Sequence, residues 1–211
     1  MNTIKTPLKQ NGDFRSDECI EILKESDIIV TNPPFSLFIE HLVQLVAYDK
    51  RFLIIGSLNA IAYKEIFKLI KSNKLWLGYT SNSSMSFKVP SPRPINVYKK
   101  IGGICWFTNL TFTKEERYLP LYKTYSGNEK DYPKYDNYDA INVNRVKDIP
   151  MDYMGVMGVP ISFLCNSYKE QFELLGSNRG VDQDTNKVYG RKCMLNEKET
   201  FKRLFIKRRE V

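Results

Sequence analysis

The feature that most constrains the fold is a short apolar segment, residues 27–31, which is stopped at once by Asn32, Pro33 and Pro34. Its β-branched, apolar character is typical of a strand covered on both faces. Each proline fixes its own φ angle and has no N–H group, so a sheet cannot continue through two of them. The sequence therefore predicts a buried strand that ends at residue 31.

Helical and strand-like patterns alternate around this strand. Residues 37–47 and 62–70 have apolar side chains at helical spacing, and residues 52–56 form a second apolar run that ends in glycine. A short helix is also predicted before the first strand, with Ser16 as its N-cap. This alternation indicates an α/β unit with a parallel sheet.

The remainder is less regular. Residues 75–79, 86–89 and 104–108 are predicted to be strands that pair antiparallel at one edge, with a proline-rich loop over residues 90–94. From about residue 113 onward, tyrosines alternate with basic residues and helical periodicity is poor, which places a domain boundary there. The basic tail, residues 198–209, fits a strand or a helix equally well.

Composition narrows the range of functions. The 32 Lys and Arg residues exceed the 24 Asp and Glu residues by eight, which fits a polyanionic partner such as nucleic acid. Four scattered cysteines offer no metal-site spacing and indicate reduced thiols. The single histidine, His41, is predicted to complete a helix face and not to serve catalysis. Neither a signal peptide nor a long apolar run is evident, so a soluble, cytoplasmic protein is expected.

The end of the first strand carries the groups that suggest chemistry. At the carboxyl edge of a parallel sheet, the side chain of Asn32 and the carbonyl of Pro33 would face a ligand crevice as hydrogen-bond acceptors. Two acceptors on an exocyclic amine would localise its lone pair, and Phe35 would offer a flat face to a base. The alternative is a simple strand-ending turn in which proline opens the next helix.

These residues resemble the amino-group DNA methyltransferases, and more narrowly the EcoRI-type adenine-specific N6 family. The resemblance covers most of the chain. Its further blocks are residues 12–18, 59–65, 104–110, 132–139 and 157–160.

The resemblance implies that a methyl group passes from S-adenosylmethionine to N6 of an adenine flipped out of duplex DNA. Asn32, Pro33, Pro34 and Phe35 would then form the catalytic block, and Asp13 would approach the adenine of the cofactor. The implied fold is a partial Rossmann-like class I methyltransferase sheet in residues 1–112. Residues 113–211 would be a target-recognition region that binds DNA, as part of a restriction-modification system.

Phosphate contacts in that region are assigned to Arg203, Arg208 and Arg209, with a solvated basic tail as the alternative.

The chain departs from the family because it has no strand, glycine-rich loop and helix ahead of residue 27 to hold the methyl donor. Three explanations stay open: a truncated gene or misplaced start codon, a separately encoded half or homo-oligomer, and a remnant without cofactor. The last would be a non-catalytic module that binds DNA or a partner. A methyltransferase acting on RNA or on a protein glutamine is a third functional class.

Overall fold

In the computed structural model, residues 7–81, 85–89, 97–111, 118–165, 170–178 and 191–209 are described. They form a mixed α/β fold. The helices are α1 (Asp17–Glu25), α2 (Phe38–Ala47) and α3 (Lys64–Lys71). None of the helices in these ranges is long and apolar enough to cross a membrane.

The first sheet contains the strands predicted from the apolar runs. They are β1 (Ile28–Thr31), β2 (Arg51–Ser57), β3 (Trp76–Ser81) and β6 (Ile104–Thr108), in the order β1-β2-β6-β3. The three helices are confirmed close to their predicted limits, and the Ser16 hydroxyl caps α1 by accepting a hydrogen bond from the Cys19 amide. Periodic apolar side chains and caps therefore located these elements correctly.

The first sheet is mixed, and its parallel part is the pair β1 and β2. β6 runs antiparallel to both β2 and β3, so the antiparallel pairing predicted for residues 75–79 and 104–108 is confirmed. Because Ser57 pairs with Ile104 and Cys105 pairs with Ser81, the start of β6 and the end of β3 lie at the same edge as the carboxyl ends of β1 and β2.

The prediction that β1 is buried on both faces is wrong. β1 pairs with β2 and with no other described strand, and the Val30 side chain is 66% exposed. Alternate side chains point to opposite faces, so Ile28 is exposed on the same side as Val30. An open strand edge beside an apolar face favours association with another strand.

A separate two-stranded hairpin is inserted along the chain between β3 and β6, which are themselves neighbours in the first sheet. Its strands are β4 (Met85–Val89) and β5 (Val97–Ile101), which pair with each other and with no other described strand. The prediction that residues 86–89 join the sheet edge is therefore wrong, and β5 was not predicted. The proline-rich loop predicted at residues 90–94 lies outside the described residues.

The second sheet lies in what we call the tyrosine-rich region, the described residues from 118 to 209. Its strands are β7 (Ile141–Asn142), β8 (Met157–Pro160), β9 (Phe172–Ser177) and β12 (Arg203–Arg208), in the order β7-β8-β12-β9. A small ribbon pairs β10 (Met194–Leu195) with β11 (Lys198–Glu199). The ambiguous tail is thus a strand, with Leu204, Phe205 and Ile206 fully buried.

The two sheets share one apolar core. A single cluster of buried side chains includes Phe52 and Phe107 from the first sheet and Val159 and Leu204 from the second. In addition, the Lys71 ammonium at the end of α3 donates a 2.8 Å hydrogen bond to the carbonyl of Leu175 in β9. The boundary predicted at residues 112–113 falls in a segment outside the described residues.

Candidate active site

Asn32 follows β1 directly at the carboxyl edge of the first sheet. Its side chain is exposed and forms no hydrogen bond with any residue that the structure describes. Pro33 behind it is buried, whereas Pro34 is exposed. The buried ring of Pro33 thus anchors the turn in the protein, and the side-chain amide of Asn32 is accessible to a ligand.

Phe35 stands beside Asn32 at this edge. It begins a short 3₁₀ turn, Phe35–Leu37, in which the Leu37 amide donates a 2.9 Å hydrogen bond to the carbonyl of Pro34. The Phe35 ring is 48% exposed, so half of its surface is available to a flat partner. The exposed half of the ring takes no part in core packing.

The position of this turn is fixed by close packing just after it. Phe38, 2% exposed, begins α2, and its ring lies 4.9 Å from that of Phe107. A Cβ atom at Gly56 in β2 would lie only 2.4 Å from the Phe38 ring. The absence of a side chain at residue 56 therefore allows α2, and the turn that leads into it, to approach the sheet this closely.

No role was predicted for Gly56 or Phe38 from the sequence. The only available signal was a glycine ending an apolar strand, which is also common in ordinary strand ends.

Asp13, the predicted cofactor contact, is already bound within its own segment. Its two carboxylate oxygens accept hydrogen bonds from Nε and Nη2 of Arg15 at 2.9 and 2.6 Å. These contacts lower the pKa of Asp13 to about 2 and raise that of Arg15. Arg15 also lies 3.4 Å from Glu40 of α2, so the segment is tied to the helix that follows the turn.

His41 packs on the helix side that faces this segment. Its ring centroid lies 4.7 Å from that of Phe14, and both ring nitrogens are buried without a hydrogen-bond partner among the described residues. Burial lowers the pKa of His41, so the neutral ring is favoured. The prediction that His41 completes a face of α2 agrees with this packing.

The three arginines predicted to contact phosphate are placed differently. The Arg203 guanidinium is half-buried and donates a 3.2 Å hydrogen bond from Nε to Oδ1 of Asn142. Arg208 donates to the carbonyl of Met151. Arg209, at the end of the strand, is exposed. Two of the three guanidinium groups thus support the second sheet.

The class of protein follows from comparison with known proteins. Residues 1–209 match the model of the family described as adenine-specific methyltransferase EcoRI. The chain belongs to this family. No solved structure matches it.

Three curated relatives carry the name of Type II methyltransferases. M.EcoRI of Escherichia coli is 52% identical over 195 residues, which cover 87% of this chain and 60% of that protein. M.MpnI of Mycoplasma pneumoniae is 48% identical and covers 80% of this chain and 57% of its own length. M.MgeORF184P of Mycoplasma genitalium is 44% identical, over a match that covers 98% of this chain and 72% of that protein. The chain therefore spans about three fifths of the length of the first of these relatives.

Proposed function

We propose that this chain supplies the base-binding edge and DNA-contacting surface of an adenine-specific DNA N6-methyltransferase. The observation that carries the proposal is the pairing of an open Asn32 amide with a half-exposed Phe35 ring at the carboxyl edge of β1. The names of the relatives, which are Type II methyltransferases, support it. In this proposal the first sheet is part of a Rossmann-like class I methyltransferase sheet, and the acceptor is an adenine flipped out of the duplex.

The chemistry proposed for this edge is the holding and polarising of an amine. The nitrogen lone pair of an aromatic amine is delocalised into the ring, which makes it a weak nucleophile. Hydrogen bonds from its two N–H groups to Oδ1 of Asn32 and to the carbonyl of Pro33 would localise the lone pair on nitrogen. The proton can then leave after the new bond has formed, so no base is needed beforehand. Phe35 stacks on the base, which is worth about 1–3 kcal/mol.

S-adenosylmethionine is the proposed methyl donor, and when bound it supplies an electrophilic methyl group. The described residues of this chain do not form a complete site for it. Asp13 is the proposed contact to its adenine, but both carboxylate oxygens are engaged by Arg15, and no strand with a glycine-rich loop precedes β1 in the described residues. We therefore derive only the handling of the base from this chain.

The test is to express this chain in a host without adenine methylation and to measure N6-methyladenine in its DNA by mass spectrometry. Titration calorimetry with S-adenosylmethionine on the purified chain accompanies it. Relative to the N6-methyladenine formed with the unaltered chain, Asn32→Ala should show a loss of about 100-fold or more, because a positioned polar group is worth about that much in a transition state. Full methylation by Asn32→Ala would refute the role of Asn32.

Matched variants separate chemistry from folding. Asn32→Asp keeps an acceptor oxygen and should retain more activity than Asn32→Ala. Phe35→Ala should lose about 5- to 150-fold, the rate equivalent of the stacking contact, whereas Phe35→Trp should keep it. Phe201→Ala, at an exposed phenylalanine far along the chain, should leave methylation unchanged.

A second candidate is a DNA-binding module without methyl transfer. It is favoured by the engagement of both Asp13 carboxylate oxygens with Arg15. This candidate predicts no heat with millimolar S-adenosylmethionine and no N6-methyladenine, together with salt-dependent binding of duplex DNA. Those three results together would overturn catalysis by this chain alone.

A further inference from the structure

The positive charge of this chain is concentrated in one interval. No Asp or Glu occurs between Glu65 and Glu115, and that interval holds eight Lys and Arg residues. The whole chain has 32 basic and 24 acidic residues, so outside the interval the two kinds balance at 24 each. The entire net charge of +8 therefore lies in the segment that contains β3, the hairpin β4–β5 and β6.

The hairpin presents part of this charge on one surface. Ser86 lies directly opposite Lys100, and Lys88 lies directly opposite Tyr98. Directly opposed residues of an antiparallel pair share a face, as do residues two apart on one strand, so these four side chains lie together. We call them the cationic face. All four are exposed, and Tyr98 is 63% exposed.

The charges on the hairpin are not neutralised within the described chain. Neither Lys88 nor Lys100 forms an ion pair with a described residue. Lys99 alternates to the opposite face, where Met85 is half-buried. The face thus offers two ammonium groups, a serine hydroxyl and a phenol, which are donors suited to the oxygens of a phosphate backbone.

The hairpin leaves the sheet beside the proposed base-binding edge. It is inserted between the end of β3 and the start of β6, and both of these lie at the carboxyl edge where Asn32 follows β1. Neighbouring strands are spaced by about 4.8 Å, so β6, two positions from β1, is about 10 Å away. That is well under one turn of duplex DNA, about 34 Å.

We propose that the cationic face binds the phosphate backbone of the duplex whose base is held at Asn32 and Phe35. The inference rests on the proposed function, because it takes duplex DNA as the ligand. It moves the main electrostatic contact from the tyrosine-rich region to the hairpin. Phosphate contacts fix position and carry no sequence information, so the face would orient the duplex while other groups read it.

The test measures binding of the chain to a fluorescent duplex of arbitrary sequence at several salt concentrations. Such a probe suffices because phosphate contacts do not depend on sequence. The slope of log K against log salt reports the number of phosphates neutralised, at about 0.9 per contact. We expect the double variant Lys88→Gln, Lys100→Gln to reduce the slope by about 2 and to bind more weakly at every salt concentration.

The matched control is Lys123→Gln, Lys207→Gln, which removes the same charge from exposed positions of the tyrosine-rich region. It should leave the slope nearly unchanged, and Lys99→Gln should change it less than either lysine of the cationic face. An unchanged slope in the hairpin variant, or a larger loss in the control, would overturn the inference while leaving DNA binding intact. No salt-dependent binding by the unaltered chain would overturn the proposed DNA function itself.

Discussion

The tyrosine-rich region and the hairpin β4–β5 contain the same residue types, aromatic and basic, and use them differently. In the former, Tyr132, Tyr135 and Tyr138 are buried, and Tyr135 donates a 2.7 Å hydrogen bond to Asn142. In the hairpin, Tyr98 is exposed beside two lysines that form no ion pair with any described residue. Interleaved tyrosine and lysine are therefore no evidence of a DNA-binding surface where the fold buries the tyrosines.

The same contrast holds for the cations. Arg203 donates to Asn142, which is buried inside the second sheet, and so helps to satisfy a polar group that would otherwise be costly. Lys88 and Lys100 form no ion pair with any described residue. Arg203 thus contributes to the stability of its own sheet, whereas Lys88 and Lys100 are proposed to bind phosphate.

The largest effect that tests this contrast is a loss of stability when core packing in the tyrosine-rich region is disrupted. Phe205 is fully buried and its ring lies 4.6 Å from that of Tyr138. Phe205→Ala should reduce the free energy of unfolding by about 3–5 kcal/mol, because it removes apolar contacts and leaves a cavity. Urea denaturation measures this loss, and the exposed Phe201→Ala should stay within about 0.5 kcal/mol. Equal losses in the two variants would contradict the packing described here.

A smaller effect is expected at Arg203. Arg203→Ala should lower the free energy of unfolding by about 1.5–3 kcal/mol, the range for a hydrogen bond from a charged group. Because the guanidinium donates its hydrogen bond to Asn142 and not to a phosphate, the slope of log K against log salt for DNA binding should not change. Lys88→Gln should show the reverse, with unaltered stability and a reduced slope. A change in slope for Arg203→Ala would show that this arginine contacts phosphate after all.

A hydroxyl deletion sharpens the comparison of the tyrosines. Tyr135→Phe removes the donor to Asn142 and should cost about 0.5–1.5 kcal/mol in thermal or urea unfolding. Tyr98→Phe removes the same group from an exposed ring and should not alter stability measurably. If the two substitutions had the same effect on stability, burial would not be what distinguishes these tyrosines.

The smallest effect is at an exposed ion pair outside both regions. The Arg15 guanidinium holds the pKa of Asp13 at about 2, below its ordinary 3.8. The stabilisation is therefore complete above about pH 4 and is lost as the pH falls toward 2. The difference in stability between the unaltered chain and Asp13→Asn should shrink over this interval in urea titrations. A difference that stayed constant from pH 5 to pH 2 would exclude the ion pair as its source.

Much of the first half of the fold was predictable because local patterns determine it. Apolar periodicity gave α2, β2 and α3, and two prolines gave the end of β1. Strand order was not predictable, because nothing local states that β6 lies between β2 and β3. The exposure of Val30 was missed for a related reason. An apolar side chain indicates that a position is suited to burial, but it does not show whether another element covers that position.

The candidate site was likewise predictable only in part. The placement of Asn32 and Phe35 at a strand end followed from the prolines, and their roles stay predictions that the variants above address. The hairpin was missed because β5 combines Val97 with Lys99 and Lys100 in a segment too short for a clear alternation. Its cationic face exists only through cross-strand register, which brings together residues 10 to 14 positions apart.

The hairpin consists of strands that pair with each other and with no described strand of either sheet. Its outward side chains can consequently be exchanged without disturbing either sheet. In the proposed function, the affinity for DNA and the chemistry at the base are then set by separate side chains, so surface substitutions could tune the affinity while Asn32 and Phe35 stay unchanged.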